Sequence, residues 1–175
     1  MISLAAALTA IAGAAPASAG TTAELAVGVS NAIVAGAPDD DAVHPGVAPL
    51  VGELGWSLGE RVSLGLRSAT YLLPSTVAGR LEPFLATFVG PAVSVRPGPR
   101  LVIGAAAGPS LVWPSPVGAS PYLRSNRGLG LTLRASWTVG HAAAGVVVGA
   151  ELLPTVFDGG DLLIGSILTA GLSWR

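Results

Sequence analysis

Leu50-Val51-Gly52-Glu53-Leu54-Gly55-Trp56-Ser57-Leu58, followed by Gly59-Glu60 and then Arg61-Val62-Ser63-Leu64-Gly65-Leu66-Arg67, is the stretch whose reading decides the fold. In its first run Leu50, Gly52, Leu54, Trp56 and Leu58 alternate with Val51, Glu53, Gly55 and Ser57. Successive side chains of a strand point to opposite faces, so one face is mostly apolar and the other mostly small or polar. The second run repeats the rule, with Val62, Leu64 and Leu66 opposite Arg61, Ser63, Gly65 and Arg67. Two such runs joined by a tight turn at Gly59-Glu60 read as a β-hairpin.

The same period extends along the chain. Leu101, Ile103, Ala105 and Ala107 alternate with Val102, Gly104 and Ala106, while Leu129, Leu131, Leu133, Ala135 and Trp137 alternate with Gly130, Thr132, Arg134 and Ser136. Ala142 to Glu151 and Leu162 to Trp174 follow suit. A first strand around Glu24 to Ala35 and a fourth around Leu81 to Val95 bring the expectation to about eight, most near the ~9–11 residues that cross a membrane at a tilt. Pro83 and Pro91 each remove a ladder donor from the fourth, which predicts a bulge or a frayed edge there and leaves its apolar face open. The connections alternate in length. Gly59-Glu60, Arg96 to Pro99 and Gly140-His141 are tight, whereas Gly36 to Pro49, Pro74 to Arg80, Trp113 to Arg127 and Pro154 to Asp161 are longer.

Composition narrows the classes. Of 175 residues 51% are hydrophobic and 11% charged, less than half the ~25% of ordinary globular chains, which excludes disorder and fits one domain. There is no Cys, hence no disulfide and no thiolate metal site, and a net charge of −1 gives no electrostatic basis for binding nucleic acid. All nine basic residues are Arg. Met1 to Gly20 has no charged side chain, is rich in Ala and carries Ala17-Ser18-Ala19 before Gly20, the small-residue pattern of signal-peptidase cleavage. The expectation is a signal peptide over 1–19, without the usual basic n-region, and a barrel over 20–175. No later apolar run is long enough for a membrane helix.

Alternation alone does not say which face points inward, because a lipocalin-like soluble barrel also alternates. Here the polar face is mostly Gly, Ala, Ser and Thr, too poorly charged for a solvated exterior and suited to a narrow barrel interior. Aromatic placement is a second observation: Trp56, Trp137 and Trp174 fall on the apolar face at the short-turn end, and Trp113 closes the long-loop end of its strand. Membrane barrels carry such aromatic girdles at both interfaces.

With these features the chain resembles the small outer-membrane β-barrel family, the OmpA-, OmpX- and OmpW-like group, over its whole mature length. The final strand, Leu168, Ala170, Leu172, Trp174, is part of the likeness. The resemblance implies an all-β, antiparallel up-and-down transmembrane barrel in the outer membrane. It also implies outer-membrane lipids and the barrel-assembly machinery as partners. That machinery reads a terminal aromatic residue, and here Trp174 is followed by Arg175.

Candidate chemistry is sparse. Gly55-Trp56-Ser57-Leu58-Gly59 matches the G-x-S-x-G nucleophile elbow, but a strand follows it where the elbow needs a helix. A lipid A deacylase would need Ser, His and Glu within reach on one face, and only His44 and His141 are available. Asp39-Asp40-Asp41 lacks the spacing of a Ca²⁺ loop and reads as a solvated loop tip. No catalytic residue, metal or cofactor is expected. On the inner face Glu53, Arg61, Arg67, Arg134 and Glu151 are expected to form a polar network, either filling the barrel or gating a narrow pore. The inward glycines leave room for small water-filled cavities. The function expected is structural or surface interaction with an unidentified partner, with a narrow pore as the alternative and a soluble periplasmic barrel binding an apolar ligand as the second.

Overall fold

In a computed structural model the described residues are 20–35, 44–59, 61–77, 80–113, 125–140 and 144–175. The signal-peptide segment, Asp39-Asp40-Asp41 and His141 lie outside them. Eight strands close on themselves in chain order: β1 (Thr21–Ala35), β2 (His44–Ser57), β3 (Val62–Val77), β4 (Arg80–Val95), β5 (Leu101–Trp113), β6 (Arg127–Gly140), β7 (Ala144–Phe157) and β8 (Leu162–Trp174). Every pairing is antiparallel, and β1 meets β8 from Ala23↔Trp174 to Ala35↔Leu162. Closure leaves no unpaired edge, which a sheet in lipid requires.

The strands, at 13 to 16 residues, are longer than the expected membrane-crossing length. The connections are correspondingly shorter. β3 and β4 pair to Val77↔Arg80, so the long loop expected over Pro74 to Arg80 is only the 78–79 link, and Pro74 pairs with Pro83 inside the ladder. Likewise β7 runs through Pro154 to Phe157, and β2 begins at His44 within the expected first loop. Proline is tolerated inside these ladders where its position needs no N–H donor.

β4 is neither frayed nor bulged against β3, with which it keeps one register throughout. Its inner face holds Phe84, Ala86, Phe88, Gly90, Ala92 and Ser94, and Leu85, Val89, Pro91, Val93 and Val95 point out. Its ladder to β5 is interrupted between Phe88↔Ser110 and Ala92↔Ala106, where Pro91 and Pro109 supply no N–H. The register shift lies instead in β2, where Pro49 and Leu50 together oppose Val27, a β-bulge.

The exterior is apolar: Leu129 (70% exposed), Leu168 (63%) and Val29 (59%) are typical of a belt of Leu, Val and Ile around the barrel. β6 shows the alternation most clearly, with Leu129, Leu131, Leu133, Ala135, Trp137 and Val139 outside and Gly130, Thr132, Arg134, Ser136 and Thr138 buried. An apolar exterior over a buried polar set is the membrane arrangement, the reverse of a soluble barrel.

Candidate functional site

The only place where charged side chains are brought together away from the barrel ends, among the described residues, is the interior. Glu24 and Glu53 are cross-strand partners on β1 and β2, Glu53 pairs in register with Arg67 on β3, and Arg134 on β6 with Glu151 on β7. Their side chains nevertheless reach across the lumen. Arg67 Nε and Nη2 donate to Glu151 Oε1 and Oε2 at 2.9 and 2.5 Å, joining β3 to β7 on the opposite wall. Arg134 Nη1 donates to Glu24 Oε2 at 2.6 Å, and its Nη2 lies 2.7 Å from Glu53 Oε2. Ser94 donates to Glu53 Oε1 at 2.9 Å and accepts from Arg134 Nη2 at 3.0 Å. Two guanidinium groups are thereby shared among three carboxylates, with Arg67 Nη1 a further 3.6–3.7 Å from Glu53 and Glu24. Gly104 makes room for this: a Cβ there would stand 2.9 Å from Arg134 Nε.

On the long-loop side of these cross-braces the interior is packed with large apolar side chains alongside buried Ser30, Ser110, Thr132 and Thr155, which alternation did not anticipate. Tyr71, Phe88, Leu153 and Leu163 are fully buried, and Phe84, Phe157, Val112 and Ile167 belong to the same cluster. Inward glycines are covered by these rings. A Cβ on Gly130 would stand 2.9 Å from Phe88 Cδ2, and one on Gly165 3.3 Å from Tyr71 Cζ. The volume expected to be empty is therefore occupied by a large side chain opposite a small one, as in any well-packed core. A half-open polar pocket remains on the short-turn side, about 30 Å³ between Glu24, Glu53, Arg134 and Arg96. It has room for a water molecule.

Of the residues expected in the interior network, Glu53, Arg67, Arg134 and Glu151 are joined as described. Arg61 is not: it is exposed in the turn before Val62, because the inward parity it shares with Ser63 and Arg67 has no meaning past the end of a strand. Glu24 was missed, although its alternation with Leu25 and Val27 places it inward by the same rule. Trp56, Trp137 and Trp113 are exposed on the outer face, and Trp174 is half-buried at the end of β8. Ser57 ends β2, and Leu58 N donates to Val62 O to close a hairpin, so the G-x-S-x-G stretch is strand, turn and strand; His44 lies at the other end of β2. No group of His, Asp or Glu among the described residues is arranged to hold a metal.

Charge is also sorted along the barrel axis. Among the described side chains the long-loop end holds Asp158 and Asp161 against Arg127. The short-turn end holds Arg61, Arg96, Arg100 and Arg175.

No protein-family model matches the chain, and no curated protein matches it in sequence. Solved structures do match in fold. Ail, the attachment invasion locus protein of Yersinia pestis, superposes with a TM-score of 0.57 at 12% identity, over 90% of this chain and 100% of that one. Neisserial surface protein A (NspA) gives 0.54 at 11%, over 87% and 96%. The fold is thus that of the small eight-stranded outer-membrane β-barrels.

Proposed function

We propose that this protein is an integral outer-membrane barrel with a structural or surface-interaction role, and that it is neither an enzyme nor a conduit. The observation that carries the reading is the filled interior. Cross-braces from Arg67 and Arg134 obstruct the short-turn half, and the cluster around Tyr71, Phe88 and Phe157 fills the long-loop half. Water and ions need a continuous polar path, and side chains of an eight-stranded barrel are large enough to remove it. The apolar belt outside speaks for lipid as the surrounding medium and against a soluble barrel.

Surface interaction is then left to the long-loop end. Ail has been seen in complex with the heparin analogue sucrose octasulfate, so a barrel of this fold can carry a surface ligand. Assembly into the membrane would use the last strand, whose end at Trp174 supports recognition by the barrel-assembly machinery.

Planar-bilayer recording tests the reading. The wild type is expected to be electrically silent, and Arg67→Ala and Arg134→Ala to remain silent while losing stability. A steady wild-type conductance that either substitution changes would replace this reading with the narrow pore.

A further inference from the structure

The short-turn rim carries four arginines that the interior network does not use. Arg61, Arg96 and Arg175 are neighbours, with Arg96 N donating to Arg61 O at 2.7 Å and Arg175 Nη1 to Pro99 O at 3.3 Å, and Arg100 lies across the turn, its O accepting from Thr138 N at 2.8 Å. None of the four forms an ion pair among the described residues, and the buried Nε of Arg96 has no hydrogen-bond partner. Burial, with the nearby cations Arg175 and Arg134, lowers the Arg96 pKa against the pull of Glu53, although a guanidinium remains charged at any physiological pH. The rim therefore brings four guanidinium groups together with no carboxylate side chain paired to them among the described residues.

The turn between β4 and β5 separates two surfaces. On one side Arg61, Arg96 and Arg175 line a polar cleft against Pro97-Gly98-Pro99; on the other, the same turn with Arg100, Leu101 and Trp137 lines an apolar groove. Gly98, at the crest, faces open space. Cationic and apolar surfaces back to back at the level of exposed Trp56 and Trp137 match an amphiphile with an anionic head. Tryptophan at that level marks the headgroup region, and arginine binds phosphate oxygens through paired N–H donors.

We propose that the 96–100 turn is a binding site for anionic phospholipid of the leaflet that meets the short turns. The phosphate sits among Arg61, Arg96 and Arg175, and an acyl chain lies against Leu101 and Trp137. The inference rests on the membrane-barrel reading. It deepens it by giving the short-turn end a lipid preference.

The test is native mass spectrometry of the barrel released from nanodiscs holding equal amounts of phosphatidylglycerol and phosphatidylethanolamine. Each arginine near an anionic surface is worth about a fivefold preference. Phosphatidylglycerol should therefore be retained at least ~fivefold over phosphatidylethanolamine. Arg61→Gln/Arg96→Gln/Arg175→Gln should bring the ratio near one, while Arg127→Gln at the opposite end leaves it unchanged. Heat-dependent gel mobility checks that each variant is folded. Equal retention of the two lipids, or a preference that survives the triple variant, overturns the site and leaves the membrane barrel standing. Stabilisation of the detergent-held barrel by inorganic phosphate as large as that by phosphatidylglycerol would assign the cleft to a soluble anion and overturn the lipid assignment. A protein that stays soluble and never enters the discs overturns the membrane reading itself.

Discussion

Arg67 shows how a single side chain governs the interior. It is 2% exposed, and its bidentate contact spans the lumen to Glu151, itself 3% exposed. Two charges taken out of water are tolerated only as a pair, so truncating one leaves the other buried and uncompensated. Arg67→Ala is expected to cost about 3–5 kcal/mol in urea unfolding from lipid vesicles. Adding Glu151→Ala should recover part of that loss; strict additivity of the two would show that the contact carries no coupling. Gly130 bears on the apolar half. Gly130→Val drives its side chain into Phe88 and is expected to cost about 1–3 kcal/mol, less in a Phe88→Leu background. At this scale the charged residues were legible, because Glu53, Arg67, Arg134 and Glu151 interrupt apolar surroundings at inward parity. Tyr71, Phe84 and Phe157 were not: each adjoins an outward apolar neighbour, Leu72, Leu85 or Val156, and a run apolar on both faces has no alternation to read.

β6 and β4 mark the extremes among the elements. β6 alternates from Leu129 to Val139 without a break, and its faces follow from the pleat. β4 places apolar residues on both faces and carries proline at two positions, so its faces and register came only from pairing with β3. Strand ends were likewise illegible, since pairing past the bilayer depends on the neighbour strand and not on hydropathy. The chain has no Cys, so a spin label can be placed at single positions without removing native thiols. A nitroxide at Leu133→Cys is expected to collide with dissolved oxygen and to be shielded from an aqueous nickel chelate, whereas one at Thr132→Cys should be immobilised in the interior. Quenching at position 133 by the aqueous reagent would turn the barrel inside out and revive the soluble, ligand-binding alternative.

The whole molecule depends on the seam where β8 returns to β1, because only that pairing converts a strip with two edges into a barrel. Edges are costly in lipid, where no water replaces a missing partner, so the barrel opens by global unfolding and not strand by strand. Such closure predicts resistance to SDS in the cold and a change in gel mobility after boiling. The seam also has a specific weak point. Gly171 on β8 lies against β1 so closely that a Cβ there would fall on the Leu25 carbonyl oxygen, which belongs to backbone and cannot swing aside. Gly52, between β1 and β2, is looser: its added Cβ would stand 3.3 Å from Glu24 O. Gly171→Val is therefore expected to force the closing strands apart and abolish the SDS-resistant form, while Gly52→Val retains it. Both variants losing the cold form equally would mean that the barrel depends on summed strand pairing and not on closure at β1–β8. Both retaining it would mean that the seam yields to a side chain, and that the barrel tolerates local opening where lipid chains must then cover the freed backbone.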